Sequence, residues 1–367
     1  MTDKCVAWDT ITNFVTEAFC GYGVPRADAE ICADVLIEAD RRGITSHGVN
    51  RFKPIYIDRL KKGIQKPVTE FEILRETPTT AVIDGHDGMG QVIAYRSMSL
   101  AIEKAQKYGM GMVAVRNSTH YGIAGYYATM ATSQDCIGIT GTNARPSIAP
   151  TFGVETMMGT NPLCLGLPTD EDFPFVIDCA TSITQRGKIE YWARLDQATP
   201  EGLVITKDGN TLTDSAEILT ALSQGEAAFA PLGGIGEELA GYKGYGYCCA
   251  VEILSAALQS GQYMKMLTGL DANGKSVPYG LGHFFIAVDT NAFMGAKAFK
   301  ETAGNILREL RNSEKAPGAN QIFTAGEKEY LAKQSSKNKG VLVNEAVQKE
   351  LKEVQIELGL DQYDLGF

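Results

Sequence analysis

The apolar pattern of this chain changes near residue 75, and the change limits the folds that the chain can adopt. Before that point apolar side chains recur at helical spacing, as in Ile11, Phe14, Val15 and Ala18. This spacing predicts amphipathic helices. After that point short apolar runs bounded by turn residues dominate, beginning with residues 79–85, and these predict strands. The chain is therefore predicted to combine a helical segment with a sheet.

The remaining predicted elements alternate irregularly between helix and strand. Helices are predicted over 25–43, 52–62, 97–108 and 248–258 and from about residue 296 onward, and strands over 112–115, 136–140, 175–178 and 283–289. The alternation is too irregular for a series of βαβ units, and no strand is followed by the G-x-G-x-x-G pattern that holds a dinucleotide. The predicted fold class is mixed α/β or α+β, without a Rossmann crossover.

The composition excludes several classes of protein. The 367 residues include 34 basic and 44 acidic side chains, which gives a formal net charge of −10, and 44% of the residues are hydrophobic. This balance is typical of a folded chain and offers no general attraction to nucleic acid or anionic lipid. None of the eight cysteines forms a C-x-x-C pair, and neither a secretory signal nor an apolar transmembrane stretch is evident. We expect a cytoplasmic protein with free thiols and with neither nucleic-acid nor membrane partners.

One motif match points to a nucleotide-binding protein instead. Residues 269–276 fit the P-loop pattern G-x-x-x-x-G-K-S, which would use Lys275 and Ser276 to hold phosphate and magnesium. A P-loop needs a strand before it and a long helix after it, whereas Val277 and Pro278 follow here. The match is interpreted as a solvated turn, and a P-loop nucleotide hydrolase is kept as an alternative function.

Four histidines are present, and His47 stands where the second predicted helix gives way to the third. Arg51 follows four residues later, on the same face if the helix has begun. A guanidinium pairs with a carboxylate through two parallel hydrogen bonds, and an imidazole of near-neutral pKa can pass a hydroxyl proton. The pair therefore suits a 2-hydroxy or 2-oxo acid. The alternative is a helix cap beside a surface arginine.

The other candidate segments are rich in glycine and small polar residues. His120 follows a predicted strand in such a segment, which suits a pocket wall but equally an ordinary polar loop. Residues 158–162 combine glycine with an Asn-Pro turn, and residues 241–247 place one lysine among glycines and tyrosines. Either a ligand-binding loop or a structural turn explains them. His86 and His283 are interpreted as structural, and no two histidines are spaced as metal ligands on one element.

Taken together, these segments resemble the malate/L-lactate dehydrogenase family, which is unrelated to the Rossmann-type enzymes of the same names. The family also contains ureidoglycolate dehydrogenase, sulfolactate dehydrogenase and diketogulonate reductase. The likeness covers nearly the whole chain, and several motifs occur in the right order. These motifs lie at residues 42–51, 117–122, 159–162, 186–189 and 241–246.

The resemblance implies a set of site residues. His120 matches the family's proton-transferring histidine, and His47, with Ser46 in the same S-H-G segment, matches a histidine given that role in some members. Arg51 matches the arginine that binds the substrate carboxylate, and Asn161 matches an asparagine expected near the nicotinamide. The implied cofactor-binding positions are Ala144, Asp178, Cys179, Ala180, Tyr242, Lys243, Gly326 and Glu327.

The resemblance also implies a fold and a reaction. The expected fold is a cofactor domain with a mostly antiparallel sheet (residues 76–290) and a helical domain drawn from residues 1–75 and 291–367, in a homodimer. The expected reaction is NAD- or NADP-dependent oxidation of a 2-hydroxy acid, first of all malate to oxaloacetate. Lactate, ureidoglycolate, sulfolactate and cyclic imino acids are alternative substrates, and a non-catalytic protein that binds ligands in the same pocket is a further alternative. Two positions depart from the family pattern, with Cys179 in place of Met and Ala325 in place of Pro.

Overall fold

The computed structural model describes residues 3–367. Within that range the α-helices are α1 (Trp8–Gly21), α2 (Arg26–Arg41), α3 (Asp58–Lys61), α4 (Gly90–Tyr108), α5 (Ala124–Thr132), α6 (Arg186–Arg194), α7 (Ser215–Gln224), α8 (Gly241–Ala256), α9 (Ala296–Asn312), α10 (Glu327–Ser336) and α11 (Glu345–Leu358). The strands are β1 (Lys4–Val6), β2 (Glu72–Glu76), β3 (Thr80–Asp84), β4 (Met110–Ser118), β5 (Cys136–Thr142), β6 (Leu163–Leu167), β7 (Phe175–Cys179), β8 (Val204–Thr206), β9 (Ala227–Phe229), β10 (Leu281–Asp289) and β11 (Val341–Val343). Short 3₁₀ segments join some of these elements, and a π-helical turn, Phe52–Ile57, precedes α3. No helix in this range combines the length and the apolar character needed to span a membrane.

Seven strands form the main sheet, in the order β2-β3-β4-β10-β5-β6-β7. Within this sheet β3 and β4 are parallel, and every other pair of neighbours is antiparallel. Helices α4 and α5 contact each other and the central strands, and α8 contacts β4, β5 and β10. The mixed α/β fold with a mostly antiparallel sheet is therefore as predicted.

The two ends of the chain share one hydrophobic core. Buried Phe14, Phe19 and Phe52 pack in the same cluster as Leu351 and Val354 of α11. The rings of Phe19 and Phe52 meet edge to face at 5.2 Å between centroids. Strands β1 and β11 pair antiparallel beside this core. Both termini thus build the helical part of the fold, as expected, while the boundaries of the domains stay a prediction.

Two regions add to this plan. Between β6 and α9, Ile189, Ile218 and Phe229 form a separate buried cluster under α6 and α7, which the sequence pattern did not predict. Helix α9 binds the end of the sheet through ion pairs rather than joining the core of the two termini. Arg308 pairs with Asp170 at 2.9 Å.

Two helices, α4 and α8, begin earlier than predicted, and each begins at a glycine. Helices α4 and α8 begin at Gly90 and Gly241 rather than at residues 97 and 248. A Cβ at Gly90 would overlap the backbone oxygens of Thr119 and His120, and one at Gly241, in the segment expected to be a loop or turn, would overlap backbone of the preceding loop. Close backbone approach, and not a turn, requires them.

The predicted helix over residues 52–62 is a π-turn followed by the short α3. Several unpredicted strands carry too little pattern to be recognised, because β1, β8, β9 and β11 have three residues each. Every residue of β2 is exposed, so that strand shows no apolar alternation.

Candidate active site

The fold brings His47 and His120 together from segments far apart in the chain. Their rings are nearly parallel, at 18°, with 5.8 Å between centroids. His47 ends a 3₁₀ turn that follows α2, and His120 lies in the loop between β4 and α5. We call His47, His120 and the adjoining Arg51 the histidine cluster.

The S-H-G segment is held tightly against α2. The Oγ of Ser46 lies 2.9 Å from Nδ1 of His47, and Nε of Arg51 donates to the carbonyl oxygen of Ser46 at 2.7 Å. The Val49 amide donates to the carboxylate of Asp40 at 2.7 Å. A Cβ at residue 48 would overlap that carboxylate, so a larger residue there would displace the Asp40 side chain. Burial raises the pKa of Asp40 to about 7, and the Val49 hydrogen bond opposes this shift.

His120 is fixed by a tyrosine from the π-turn. The hydroxyl of Tyr56 lies 2.8 Å from Nδ1 of His120, and both side chains are buried or nearly so. The loop that carries His120 packs on the start of α4, where the Gly90 amide donates to Thr119 Oγ1 at 2.9 Å. The hydroxyl of Thr119 in turn donates to the carbonyl oxygen of Gly88 at 2.8 Å. The loop is therefore rigid, and Nδ1 is engaged with Tyr56.

The surroundings keep both imidazoles neutral. Burial, reinforced by the Arg51 guanidinium, lowers the pKa of His47 to about 4. Burial also lowers the pKa of His120 well below its ordinary value, and His47, Arg59 and Arg51 add to the effect. At neutral pH each ring has one nitrogen lone pair free of a proton. Such a group is a base ready to accept a hydroxyl proton.

The other two histidines lie outside this cluster and have structural contacts. His283 is fully buried on β10, stacks on Tyr121 at 4.6 Å between centroids, and shares a 2.7 Å hydrogen bond with Thr142. Nε2 of His86 lies 2.7 Å from a carboxylate oxygen of Glu72 at the exposed edge of the sheet.

Sequence reasoning missed three residues of this neighbourhood. Tyr56 and Asp40 had been treated as ordinary helix residues, and Arg59 had not been considered. Tyr56 and Arg59 follow the S-H-G motif closely, but Tyr56 lies in a π-turn whose register differs from that of an α-helix, and Arg59 follows it in α3. No periodicity in the sequence announces such a shift.

The predicted cofactor positions do not join the histidine cluster as one set of side chains. Asp178 and Gly326 line a cavity of about 600 Å³ between the sheet and α10. The Asp178 carboxylate accepts the Gly125 amide at 2.6 Å, and burial raises the pKa of this carboxyl group. Gly326 has a φ of +91° and lies against the edge of β7, where a Cβ would stand 2.7 Å from the Pro174 oxygen. Cys179 is exposed.

Several predicted site side chains are occupied by bonds within the protein. The Glu327 carboxylate accepts hydrogen bonds from the Thr324 amide at 3.0 Å and from Gln321 at 3.0 Å, so it closes its own loop. Asn161 is fully buried, with its Nδ2 donating to Glu252 at 2.6 Å and its Oδ1 accepting the Ala144 amide at 3.1 Å. The place of Asn161 near a nicotinamide stays a prediction, but its amide is already engaged in fixing the Ala144 turn.

Tyr242 and Lys243 are exposed in the first turn of α8, and Ala180, which follows β7, is partly buried. The glycine-rich segment around them is thus a helix start and not the loop or turn expected. Lys243 lies 5.9 Å from the ring of Tyr242. Both side chains face solvent and are free to meet a ligand.

The P-loop-like segment is a turn. Asp271 accepts the amides of Asn273 and Lys275 at 2.9 Å each, and Leu270 bridges to Ser276 as in a small hairpin. Val277 and Pro278 continue it without a helix. The helix that would point amides at phosphate is missing from this part of the chain, as the sequence predicted. Within residues 3–367 no group of three or more His, Cys, Asp or Glu side chains is arranged to hold a metal ion.

Comparison with known proteins places this geometry in a family. The sequence profile of a family described as malate/L-lactate dehydrogenase matches residues 6–352. The chain is 41% identical to a malate dehydrogenase of Pyrococcus horikoshii over 353 residues, which cover 96% of this chain and 95% of that protein. It is 40% identical to an L-sulfolactate dehydrogenase of Methanocaldococcus jannaschii over 343 residues, which cover 94% of each chain. The crystal structure of malate dehydrogenase from Entamoeba histolytica matches with a TM-score of 0.93 at 43% identity, covering 97% of this chain and 98% of that one.

The profile match, the extent of the identities and the structural likeness all cover nearly the whole chain. They agree with the order of motifs and with the sheet that lacks a Rossmann crossover. This chain belongs to the malate/L-lactate dehydrogenase family and is an oxidoreductase that acts on CH–OH groups.

Proposed function

We propose that the protein is an NAD-dependent dehydrogenase of 2-hydroxy acids and that its substrate pair is malate and oxaloacetate. The main support for this proposal is the histidine cluster, in which two neutral imidazoles stand beside Arg51. The Arg51 guanidinium has no carboxylate within ion-pair distance in the described chain. Each imidazole thus has one ring nitrogen outside the contacts with Ser46 and Tyr56, and the terminal nitrogens of Arg51 have no carboxylate partner in the described chain. The malate dehydrogenases among the relatives support this choice of substrate.

The residues of the cluster have distinct parts in this proposal. Arg51 holds the C1 carboxylate through its terminal nitrogens, because Nε is already bonded to the Ser46 oxygen. His120 accepts the proton of the C2 hydroxyl at Nε2 in the tautomer in which its Nδ1–H donates to the Tyr56 hydroxyl. His47 stacks beside His120 and is the alternative proton acceptor. In the reverse direction the same imidazole, protonated, donates to the carbonyl oxygen.

The cavity that contains Asp178 and Gly326 fits part of a nicotinamide dinucleotide. Six carboxylate side chains and three cationic ones line it. Carboxylates accept hydrogen bonds from ribose hydroxyls and repel an added phosphate, so this lining favours NAD over NADP. Gly326 leaves the cavity edge free of a side chain. When bound, the nicotinamide supplies the acceptor for the hydride from C2.

The other predicted cofactor contacts complete this proposal. Lys243 and Tyr242 at the start of α8 offer an ammonium and an aromatic ring to a phosphate and a base. Ala144, Cys179 and Ala180 offer backbone groups. A cytoplasmic homodimer with sites near the subunit interface is the assembly that we propose.

The test is a panel of 2-oxo acids assayed by oxidation of NADH and of NADPH. Oxaloacetate is expected to give the highest kcat/KM, and NADH is expected to bind more tightly than NADPH. Pyruvate and sulfopyruvate are included because lactate and sulfolactate dehydrogenases belong to the same family. No turnover with any 2-oxo acid, despite NADH binding, would favour a non-catalytic binding protein. Magnesium-dependent ATP binding that is lost in Lys275→Ala would favour the P-loop alternative.

A further inference from the structure

Arg59 is a second arginine at the histidine cluster, and the proposed reaction gives it no part so far. It lies in α3, directly after the π-turn that carries Tyr56. Its guanidinium carbon stands 4.4 Å from the centroid of the Tyr279 ring. The side chain is partly buried, and its environment is aromatic rather than acidic.

Arg59 differs from most other arginines of the described chain because it has no carboxylate partner. Most of the arginines that are buried or partly buried pair with a carboxylate within 4.0 Å. The paired ones are Arg41, Arg42, Arg96, Arg116, Arg308 and Arg311. Within residues 3–367 the exceptions are Arg51 and Arg59. A guanidinium withdrawn from water without a counter-ion is costly to the fold. Two such groups beside one histidine pair indicate a ligand with two anionic ends.

The place of Arg59 in α3, one turn after Tyr56, and its electrostatic effect on His120 put it near the cluster. Tyr56, three residues before Arg59, holds the His120 ring at 2.8 Å. The positive charge of Arg59 helps to lower the pKa of His120, together with burial and His47, and it does so more strongly than Arg51. Burial also lowers the pKa of Arg59 itself. The two guanidinium groups therefore act on the same imidazole from different elements.

The turn at residues 269–276, which matches the P-loop pattern, helps to position Tyr279 against Arg59. Gly269 has a φ of +72°, and a Cβ there would stand 2.6 Å from the Tyr279 ring. The turn closed by Asp271 returns the chain so that Tyr279 lies against Gly269 on one side and Arg59 on the other. A guanidinium over an aromatic face still has N–H donors left for an anion, because it carries five of them.

We propose that Arg59 binds the distal anionic group of the substrate, the C4 carboxylate of malate and oxaloacetate, while Arg51 binds the C1 carboxylate. The proposal rests on the function proposed above and refines it, because it makes the enzyme selective for dianionic substrates. Tyr279 is then a positioning residue that orients Arg59. A distal sulfonate has the same charge and would use the same guanidinium.

The test compares two 2-oxo acids that differ in the distal group. For Arg59→Met, kcat/KM with oxaloacetate is expected to fall about 10- to 100-fold, while that with pyruvate, measured at millimolar concentration with excess enzyme, stays within about twofold. The loss should lie mainly in KM. Arg59→Lys should retain part of the activity because a point charge remains. Tyr279→Leu should also lower kcat/KM for oxaloacetate relative to that for pyruvate, by a smaller factor. The kcat/KM for sulfopyruvate should fall in each variant as that for oxaloacetate does.

Controls separate this proposal from the proposed function. Arg26→Met removes an exposed arginine paired with Glu17 and should leave both substrates unchanged. Thermal unfolding and NADH affinity of each variant establish that it is folded. Equal losses with oxaloacetate and pyruvate in folded Arg59→Met and Arg59→Lys would overturn the assignment of Arg59 but leave the dehydrogenase intact. Failure of the unaltered enzyme to reduce any 2-oxo acid would overturn the proposed function itself.

Discussion

The histidine cluster is partly buried and Asn161 is fully buried, and the two regions use polar groups in opposite ways. In the cluster, His47 and His120 are kept neutral and Arg51 has no carboxylate partner in the described chain. Asn161 and Glu252 instead bond to each other at 2.6 Å, and each also accepts a backbone amide, from Ala144 and Met264 respectively.

The availability of polar groups to a ligand separates the two regions. Polar groups that a fold buries without partners lower its stability and are available to a ligand, whereas saturated ones stabilise the backbone. Substitution in the cluster should therefore change activity while sparing stability. Substitution at Asn161 should change stability first.

The largest effect is expected from His120→Ala. Loss of the proton acceptor should lower kcat for oxaloacetate reduction by about 10²- to 10⁴-fold, with NADH affinity and the unfolding temperature nearly unchanged. Steady-state kinetics and fluorescence quenching of NADH measure these quantities. His86→Ala is the matched control, since that histidine lies at the sheet edge beside Glu72. If His47→Ala shows the larger loss instead, the proton passes through His47.

Asn161→Ala should have a moderate effect, and on stability rather than on kcat. It removes the donor to Glu252, a carboxyl group whose pKa burial raises, and frees the Ala144 amide. The free energy of unfolding should fall by about 1–3 kcal/mol, as measured by urea titration. Asn273→Ala in the exposed turn is the control. Unchanged stability together with a large loss of kcat would contradict the structural role.

The smallest effect concerns pH. Because the pKa of His47 is lowered to about 4 and that of His120 is also lowered, the neutral base persists as pH falls below the ordinary histidine value. The acid limb of kcat/KM for malate oxidation should therefore lie below about pH 6.5. An inflection near pH 7 that disappears in Asp40→Asn would belong to the S-H-G segment. An acid limb of kcat/KM above about pH 6.5 in both the unaltered enzyme and Asp40→Asn would count against imidazoles that are neutral at that pH.

The sequence was sufficient for the fold class and for the pairing of His47 with Arg51 in one segment. Apolar spacing marked the first two helices, and the strand before His120 was recognisable from its composition. Resemblance supplied the link between His47 and His120. No local pattern could do so, because the contact joins a turn after α2 to a loop after β4.

What the sequence did not reveal depends on close packing and on register. Gly241 lies in a segment interpreted as a loop or turn, although it begins a helix where backbone passes too close for a Cβ. The π-turn that brings Tyr56 and Arg59 to the cluster has no apolar period of its own. The internal bonds of Glu327 became visible only once its loop was folded.

The most direct test of the account is calorimetric binding of oxamate, an unreactive analogue of a 2-oxo monocarboxylate, to the complex with NADH. Oxamate carries the carboxylate that Arg51 is proposed to hold and lacks a distal one. Arg51→Met should weaken its binding about 10- to 100-fold, and Arg59→Met should leave it unchanged. Equal oxamate affinity in Arg51→Met and in the unaltered protein would contradict the claim that this cluster binds the substrate.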